Sequence, residues 1–305
     1  RGIFVPVSST PFPLVANVGN LGNQTIPVFT ANATVKDYLG ATLVSTTTNT
    51  TDSLPGGADT TLVFPDSFIT VTPGIFTYTT TVSGISNDAT SSNNSVTEEI
   101  VVVDTTGLST NLSYTDSVFE GGLGWTGGGG GAGVYFIPPF YPAKIAATNF
   151  VITINQSNVH FWAKIYDDDG LNGSPGTLLY SDSVPASNMN VGGFTNVPLS
   201  APVIVISGGF YVLLDMGGDS INIGTDATPP FSLRSYEVLG GTWAEYRSNE
   251  STDFGITVDI ESAVIEDVGT FSITNPDSGA FLSVPTLVSC RIKNYGSMPD
   301  GSFVA

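Results

Sequence analysis

The sequence predicts an all-β protein built of tandem β-sandwiches, and three observations carry that prediction. Short runs of alternating or β-branched residues recur along the chain, from FTYTTTV (76–82) to FGITVDI (254–260). Gly, Pro, Asn and Asp clusters separate these runs at intervals of roughly 8–12 residues, the spacing of antiparallel sandwiches. No window sustains apolar residues at i, i+3, i+4 and i+7, so amphipathic helices are not expected.

The elements follow in order. Residues 1–105 contain VANVGNLGNQTIPVFTANATVKDYLG, then TPGIFTYTTTV, an Asn-rich turn at SNDATSSNN (86–94), and the apolar strand EEIVVV (98–103). That is one Ig-like sandwich of about 100 residues. Residues 106–261 open on a glycine-rich stretch beside Trp125 and carry FVITI (150–154), VHFWAKIY (159–166), PVIVI (202–206), FYVLL (210–214) and INIG (221–224). Their number suits a jelly-roll-like sandwich. The loop DDDGLNGSPG (167–176) reads as a turn by its chemistry.

Residues 262–305 repeat the head. NVGNLGNQTIPVFTA (17–31) lies over RIKNYGSMPDGSFVA (291–305) without a gap, matching Asn20 with Asn294, Gly22 with Gly296, Phe29 with Phe303 and Ala31 with Ala305; Val18 faces Ile292. In the shared N-x-G turn, glycine is expected to supply positive φ. A further strand, VGTFSIT (268–274), precedes the turn in the tail. An Ig-like domain does not close on so short a segment. The chain therefore reads either as a cut from a tandem array, offset from Asn20 to Asn294, or as a unit that borrows strands from a neighbour. It opens at Arg1 with no Met and no signal segment, so it is expected to be a processed product or a piece of something longer.

Composition narrows the function. Asp and Glu number 27 against 8 Lys and Arg, a formal net charge of −19. So few basic residues do not neutralise a run of phosphates, so nucleic acid is not an expected partner. No apolar stretch reaches the roughly 18 residues a membrane span needs. One cysteine, Cys290, excludes an internal disulfide framework, and one histidine, His160, removes most metal and general-base chemistry. Low charge with many Thr, Ser, Asn and Gly residues reads as an extracellular bacterial β-protein.

The first block resembles the CARDB-type bacterial Ig-like domain. The residues that carry the resemblance are VANVGNLG, FTANATVKD, TPGIFTYTTTV and SNDATSSNNSVTEEIVV. The second block resembles the jelly-roll-like domain of large secreted proteins of gliding, type IX-secreting bacteria, through FIPPFYPAKI, IYDDDGLNGSPGTLLYSDSV, APVIVISGGFYVLL and RSYEVLGGTW. The resemblance implies surface exposure, multidomain architecture, adhesive or structural roles, and no catalysis by these domains. Such modules also decorate secreted hydrolases.

Four features are candidate sites. Asp167, Asp169 and Asn172 offer oxygen ligands for calcium on a Gly-punctuated loop, without the bidentate Glu of an EF-hand; the alternative is a solvated acidic turn. Asp-Ser/Thr triplets place Ser53, Thr60, Thr105, Ser117, Ser183 and Ser220 in the O-glycosylation pattern of the bacterial group just named. Trp125, Trp162, Trp243, Tyr236 and Tyr246 form either an aromatic platform for sugars or core packing, the more common fate. The run Gly127–Gly131 is no phosphate loop, since no Lys-Ser/Thr follows; it is expected to be a flexible connector rather than a close-packed strand entry beside Trp125. Cys290, within the strand expected at LVSCRI, should act as a small buried hydrophobe. No nucleophile elbow or HExxH motif occurs, so an enzyme is not expected. The expected role is an extracellular structural or adhesive repeat in a cell-surface stalk, fibre or filament, with neighbouring copies, and surface glycans, as partners. The alternatives are a glycan-binding module or accessory domains of a large secreted hydrolase.

Overall fold

The computed structural model describes residues 2–105, 109–263, 268–276, 285 and 287–294. The chain is all-β: among the described residues, helix is confined to three short 3₁₀ turns at Ser91–Asn93, Leu171–Gly173 and Ala186–Asn188.

Seven strands form the first body: β1 (Ile3–Pro6), β2 (Pro11–Gly19), β3 (Thr30–Lys36), β4 (Thr42–Asn49), β5 (Asp59–Ile69), β6 (Gly74–Ser83) and β7 (Ser95–Val103). One sheet runs β1-β7-β6-β3-β4; the other pairs β2 with β5. β1 lies parallel to β7, with Ile3 opposite Ile100, and the remaining pairs are antiparallel. Alternation explains the packing: Ala31, Ala33 and Val35 of β3 point inward, against Leu14 of β2 and Phe64 and Phe68 of β5. Burying each large apolar side chain contributes about 1.5–3 kcal/mol.

The N-x-G turn corrects the expectation placed on it. Gly22 is not among the positive-φ residues. Instead Asn20, buried, receives the Gly22 amide on its Oδ1 (3.0 Å) and donates from Nδ2 to the carbonyls of Gln24 (2.8 Å) and Leu54 (3.0 Å). A Cβ on Gly22 would lie 3.2 Å from that same oxygen. The asparagine side chain makes the turn, and glycine serves by being small.

Thirteen strands form the second body: β8 (Thr110–Ser113), β9 (Gly121–Leu123), β10 (Gly130–Phe136), β11 (Ala143–Asn155), β12 (Phe161–Asp167), β13 (Leu178–Val184), β14 (Gly193–Val205), β15 (Phe210–Met216), β16 (Ile221–Asp226), β17 (Ser235–Leu239), β18 (Thr242–Glu245), β19 (Asp253–Phe254) and β20 (Ile256–Ser262). One sheet runs β13-β12-β15-β10-β17-β18; the other runs β19-β16-β11-β20-β8, with β14 on β11 and β9 on β16. Between them lie Phe136, Phe150, Phe161, Phe210 and Phe254, each fully buried.

The two bodies touch through side chains of both. Phe4 stacks at 5.1 Å on Tyr114. Arg234 donates to the Gly2 carbonyl (3.1 Å) and stands 5.7 Å over the Tyr114 ring and 5.5 Å over that of Tyr135.

After the second body, β21 (Val268–Asn275) and β22 (Ser289–Asn294) form an antiparallel pair. These are the strands expected from VGTFSIT and LVSCRI. Gly296, Phe303 and Ala305, on which much of the repeat rests, lie outside the described residues. Cys290 is exposed, against the expectation of a buried thiol, because its pair of strands has no second sheet over it among the described residues.

Candidate functional site

The registers of the β13-β12-β15-β10-β17-β18 sheet assemble an aromatic patch on its outward face. Along β12, Phe161, Ala163 and Ile165 enter the core, so Trp162, Lys164 and Tyr166 face out. Tyr166 stands opposite Tyr211, and Tyr211 opposite Tyr135, in one cross-strand row. In the next row Leu213 faces Gly133, and Gly133 faces Tyr236. Trp243 rises from β18 opposite Val238 and folds back over that row: a Cβ on Gly133 would lie 2.5 Å from its ring. Glycine at 133 is thus required by the indole above it.

Tyr211 is the hub of the patch. Its ring centroid lies 4.6 Å from that of Tyr135, 5.2 Å from Tyr236 and 5.5 Å from Trp243, and Tyr166 meets Trp243 at 5.5 Å. Tyr211 is only 3% exposed, whereas Tyr166, Tyr236 and Trp243 are half-buried. Lys164 pairs with Asp215 at 2.6 Å on the same face. Burial raises the hydroxyl pKa of Tyr135 and Tyr211 well above its usual value, with nearby Asp168 and Tyr236 adding to the rise. Both remain protonated donors at neutral pH.

The acidic loop after β12 docks onto this patch. Tyr135 donates to Asp168 Oδ2 (2.9 Å), which also accepts the Gly209 amide (2.6 Å), while Tyr211 donates to the Gly173 carbonyl (2.7 Å). Asp169 closes the loop on itself: its carboxylate accepts the Thr177 amide and hydroxyl, both at 2.6 Å, and those bonds lower its pKa. Asp167 Oδ1 accepts the Asp168 amide at 2.9 Å, and Asn172 occupies a left-handed turn position at φ 57°. Two of the three proposed calcium ligands, Asp167 and Asp169, therefore make hydrogen bonds within the loop. Among the described residues, no group of three or more His, Cys, Asp or Glu side chains is placed to hold a metal ion. Sequence reasoning passed over Asp168, whose partners stand 33 and 41 residues away.

The five aromatics singled out in the sequence divide. Tyr236 and Trp243 belong to the patch, 6.3 Å apart. Trp162 faces out on the same sheet and packs edge-on against His160 at 4.1 Å. Tyr246 packs on Phe254 at 4.8 Å. Trp125 stands between two clefts of about 300 and 250 Å³, one lined by Gln156, Asp219 and Asn222, the other by Glu237, Tyr246 and Arg247. The glycine run is not a connector. Gly127, Gly128 and Gly129 take positive φ in a turn, and Gly130 opens β10 hard against Trp125, where a Cβ would lie 2.3 Å from the ring.

Of the glycosylation candidates, Ser53, Ser117 and Ser183 are exposed, while Thr60, Thr105 and Ser220 are half-buried. A local bond accompanies three of the triplets. Asp116 accepts the Val118 amide, and Asp182 and Asp219 accept the amides of Ser183 and Ser220, each within 2.8 Å. Aspartate before serine therefore serves turn chemistry at Asp116 and Asp219, whereas Asp182 and Ser183 lie within β13.

No protein-family model matches the chain, and no curated protein matches it by sequence. Solved structures do. The CARDB domain of the PF1109 protein in complex with di-metal ions, from Pyrococcus furiosus, is 20% identical over 33% of this chain and 81% of that one, with a TM-score of 0.27. The cysteine protease and lectin-like domains of Cwp84, a surface layer associated protein of Clostridium difficile, are 10% identical over 77% of this chain, with a TM-score of 0.37; the chain spans 58% of that structure's length. The calcium binding domain CBD12 of CALX1.1 is 13% identical over 72% of this chain and 80% of that one, with a TM-score of 0.26. None of these likenesses assigns a ligand or an activity to this chain. No helix among the described residues is long and apolar enough to cross a membrane.

Proposed function

We propose that the chain is a non-catalytic stretch of an extracellular bacterial protein in which β-sandwich modules follow one another to build an adhesive or structural stalk, fibre or filament. One observation carries the reading: the gapless alignment of 17–31 with 291–305 sets β22 over β2, which supports a further copy of the first module beyond the second body. The charge of −19 and the Phe4–Tyr114 and Arg234–Gly2 contacts support it, since a rod needs acidic, soluble modules whose junctions resist bending. Neighbouring copies or repeats of the same protein are the partners. Electron microscopy of the native material tests this: beaded or smooth fibres are expected, and dispersed monomers contradict it.

A second reading rests on the aromatic patch. Half-buried Tyr166, Tyr236 and Trp243, with Lys164 and Asp215 beside them, present ring faces and charged hydrogen-bonding groups together, the chemistry that holds a sugar. Under this reading the second body binds surface glycans. A glycan array probed with the chain and with Trp243→Ala tests it: hits lost on substitution support it, and no hits contradict it. Accessory domains of a secreted hydrolase remain the alternative to the rod, and a protease or glycosidase motif in the flanking sequence would favour them.

A further inference from the structure

We propose that the turn carrying Trp125 forms a further saccharide site on the second body, one that holds a neutral oligosaccharide astride the indole. It shares the sugar chemistry of the second reading above, uses none of the residues of the Trp243 patch, and stands or falls apart from it. The site is built where two turns meet. The turn between β9 and β10 carries Trp125, and Gly127, Gly128 and Gly129 give it positive φ. Gly128 lies flat against the turn between β15 and β16, where a Cβ would come 2.9 Å from the Gly218 carbonyl carbon. The end of β11 joins them, since the Gln156 amide donates to the Ser220 carbonyl at 3.1 Å. Trp125 is held as well: its ring presses on Gly130, and its amide donates to Met216 Sδ at 3.4 Å. The indole is thus fixed before any ligand arrives, and little side-chain freedom is left to lose on binding.

The chemistry on either side of the ring names the ligand. The two clefts share Gly124, Trp125 and Thr126, so one ligand reaches both. The first sets the half-buried Trp125 and the exposed Ile154 beside Gln156, Asp219 and Asn222. Among the described residues, the carboxamides of Gln156 and Asn222 and the hydroxyl of Thr126 have no hydrogen-bond partner. Asn222 is given its place by shape: a Cβ on Gly124 would collide with its Oδ1. A few placed polar groups around an aromatic face make a ligand site. Here the ring face meets the C–H groups of a sugar, and the carboxamides each offer a donor and an acceptor to its hydroxyls. Charge selects further. The first cleft holds Asp219 and no Lys or Arg, and in the second Arg247 is already paired with Glu237 at 2.6 Å. With a net charge of −19 on the chain, an anionic glycan is repelled and a neutral one is not.

The test is isothermal titration of the full chain with cellohexaose, xylohexaose and mannohexaose, and with hexagalacturonate as the acidic comparison. At least one neutral oligosaccharide should bind, and more tightly than hexagalacturonate. The same titration in a chain carrying Trp243→Ala reads the Trp125 site without the other patch, and binding should remain. Adding Gln156→Ala or Asn222→Ala should then weaken it roughly three- to tenfold, the loss of one hydrogen bond. The melting temperature should hold, since neither carboxamide bonds to the protein. Trp125→Ala should abolish binding; Gln156→Ala, at an exposed side chain, keeps the result readable if Trp125→Ala unfolds. No binding of any neutral oligosaccharide, tighter binding of hexagalacturonate, or unchanged affinity with both Gln156→Ala and Asn222→Ala would overturn the inference. Binding that disappears with Trp243→Ala alone would overturn it and leave the patch reading standing.

Discussion

Asp226 and Asp253 stand directly opposite each other on β16 and β19, both almost wholly buried, at 1% and 2% exposure. Asp226 accepts the amides of Asp116 and Thr228, each at 2.8 Å. Asp253 accepts the Ser232 amide at 3.0 Å and its hydroxyl at 2.5 Å. Burial pushes the Asp253 carboxyl up to about 6; the Ser232 bonds pull it down, and Asp226 pushes it up again. Its folded pKa thus lies above the roughly 3.9 of an unfolded Asp. The native state holds the proton more tightly, so this group stabilises the fold below pH 4, and that contribution, about 3 kcal/mol, is lost as pH rises from about 4 to about 6. Asp253→Asn keeps an acceptor and a donor for Ser232. Melting curves between pH 4 and 7 should show the substituted protein more stable at pH 7 and lacking the wild-type decline over that window. A parallel decline in both proteins would refute the assignment.

Asp168 fastens the acidic loop to the neighbouring strands, while Asp169 closes the loop on itself. Asp168→Ala leaves the Tyr135 hydroxyl and the Gly209 amide without their acceptor, a loss of about 1–3 kcal/mol. Asp169→Ala removes bonds made at an exposed site and should lower the melting temperature less. A chelator should leave the melting temperature of the wild-type protein unchanged. The reverse order of the two variants, or a chelator effect restored by calcium, would contradict this account of the loop.

Trp243 needs the space that Gly133 leaves. Gly133→Ala should displace the indole and destabilise the protein by about 1–3 kcal/mol, with a shift in tryptophan emission. Unchanged emission and stability would show that the patch is looser than its geometry implies.

Strand alternation predicts unequal costs for neighbouring residues on β12. Phe161→Ala empties a fully buried site and should cost about 3–5 kcal/mol. Trp162→Ala, on the outward face against His160, should cost clearly less in chemical denaturation. Equal costs would mean the two faces of β12 are misassigned.

These cases mark how far the sequence could be read. VHFWAKIY reveals its strand because period-two alternation is local, and its two faces emerge as expected. The β21 and β22 strands were legible for the same reason. Sheet order was not, because β10 with β17 and β11 with β20 pair across a hundred residues or more. The contacts of Asp168 in the acidic loop were not legible, because Tyr135 comes from β10 and Gly209 from the turn before β15. The glycine run was misread because only the folded chain shows the Trp125 ring pressed against Gly130. Asp226 and Asp253 carried no signal, since carboxylates are common here and burial alone separates this pair from the others.

Electron microscopy of the native material tests the central claim, a succession of β-sandwich modules, most directly. Beaded or smooth fibres are the result the account predicts, and dispersed monomers would contradict it.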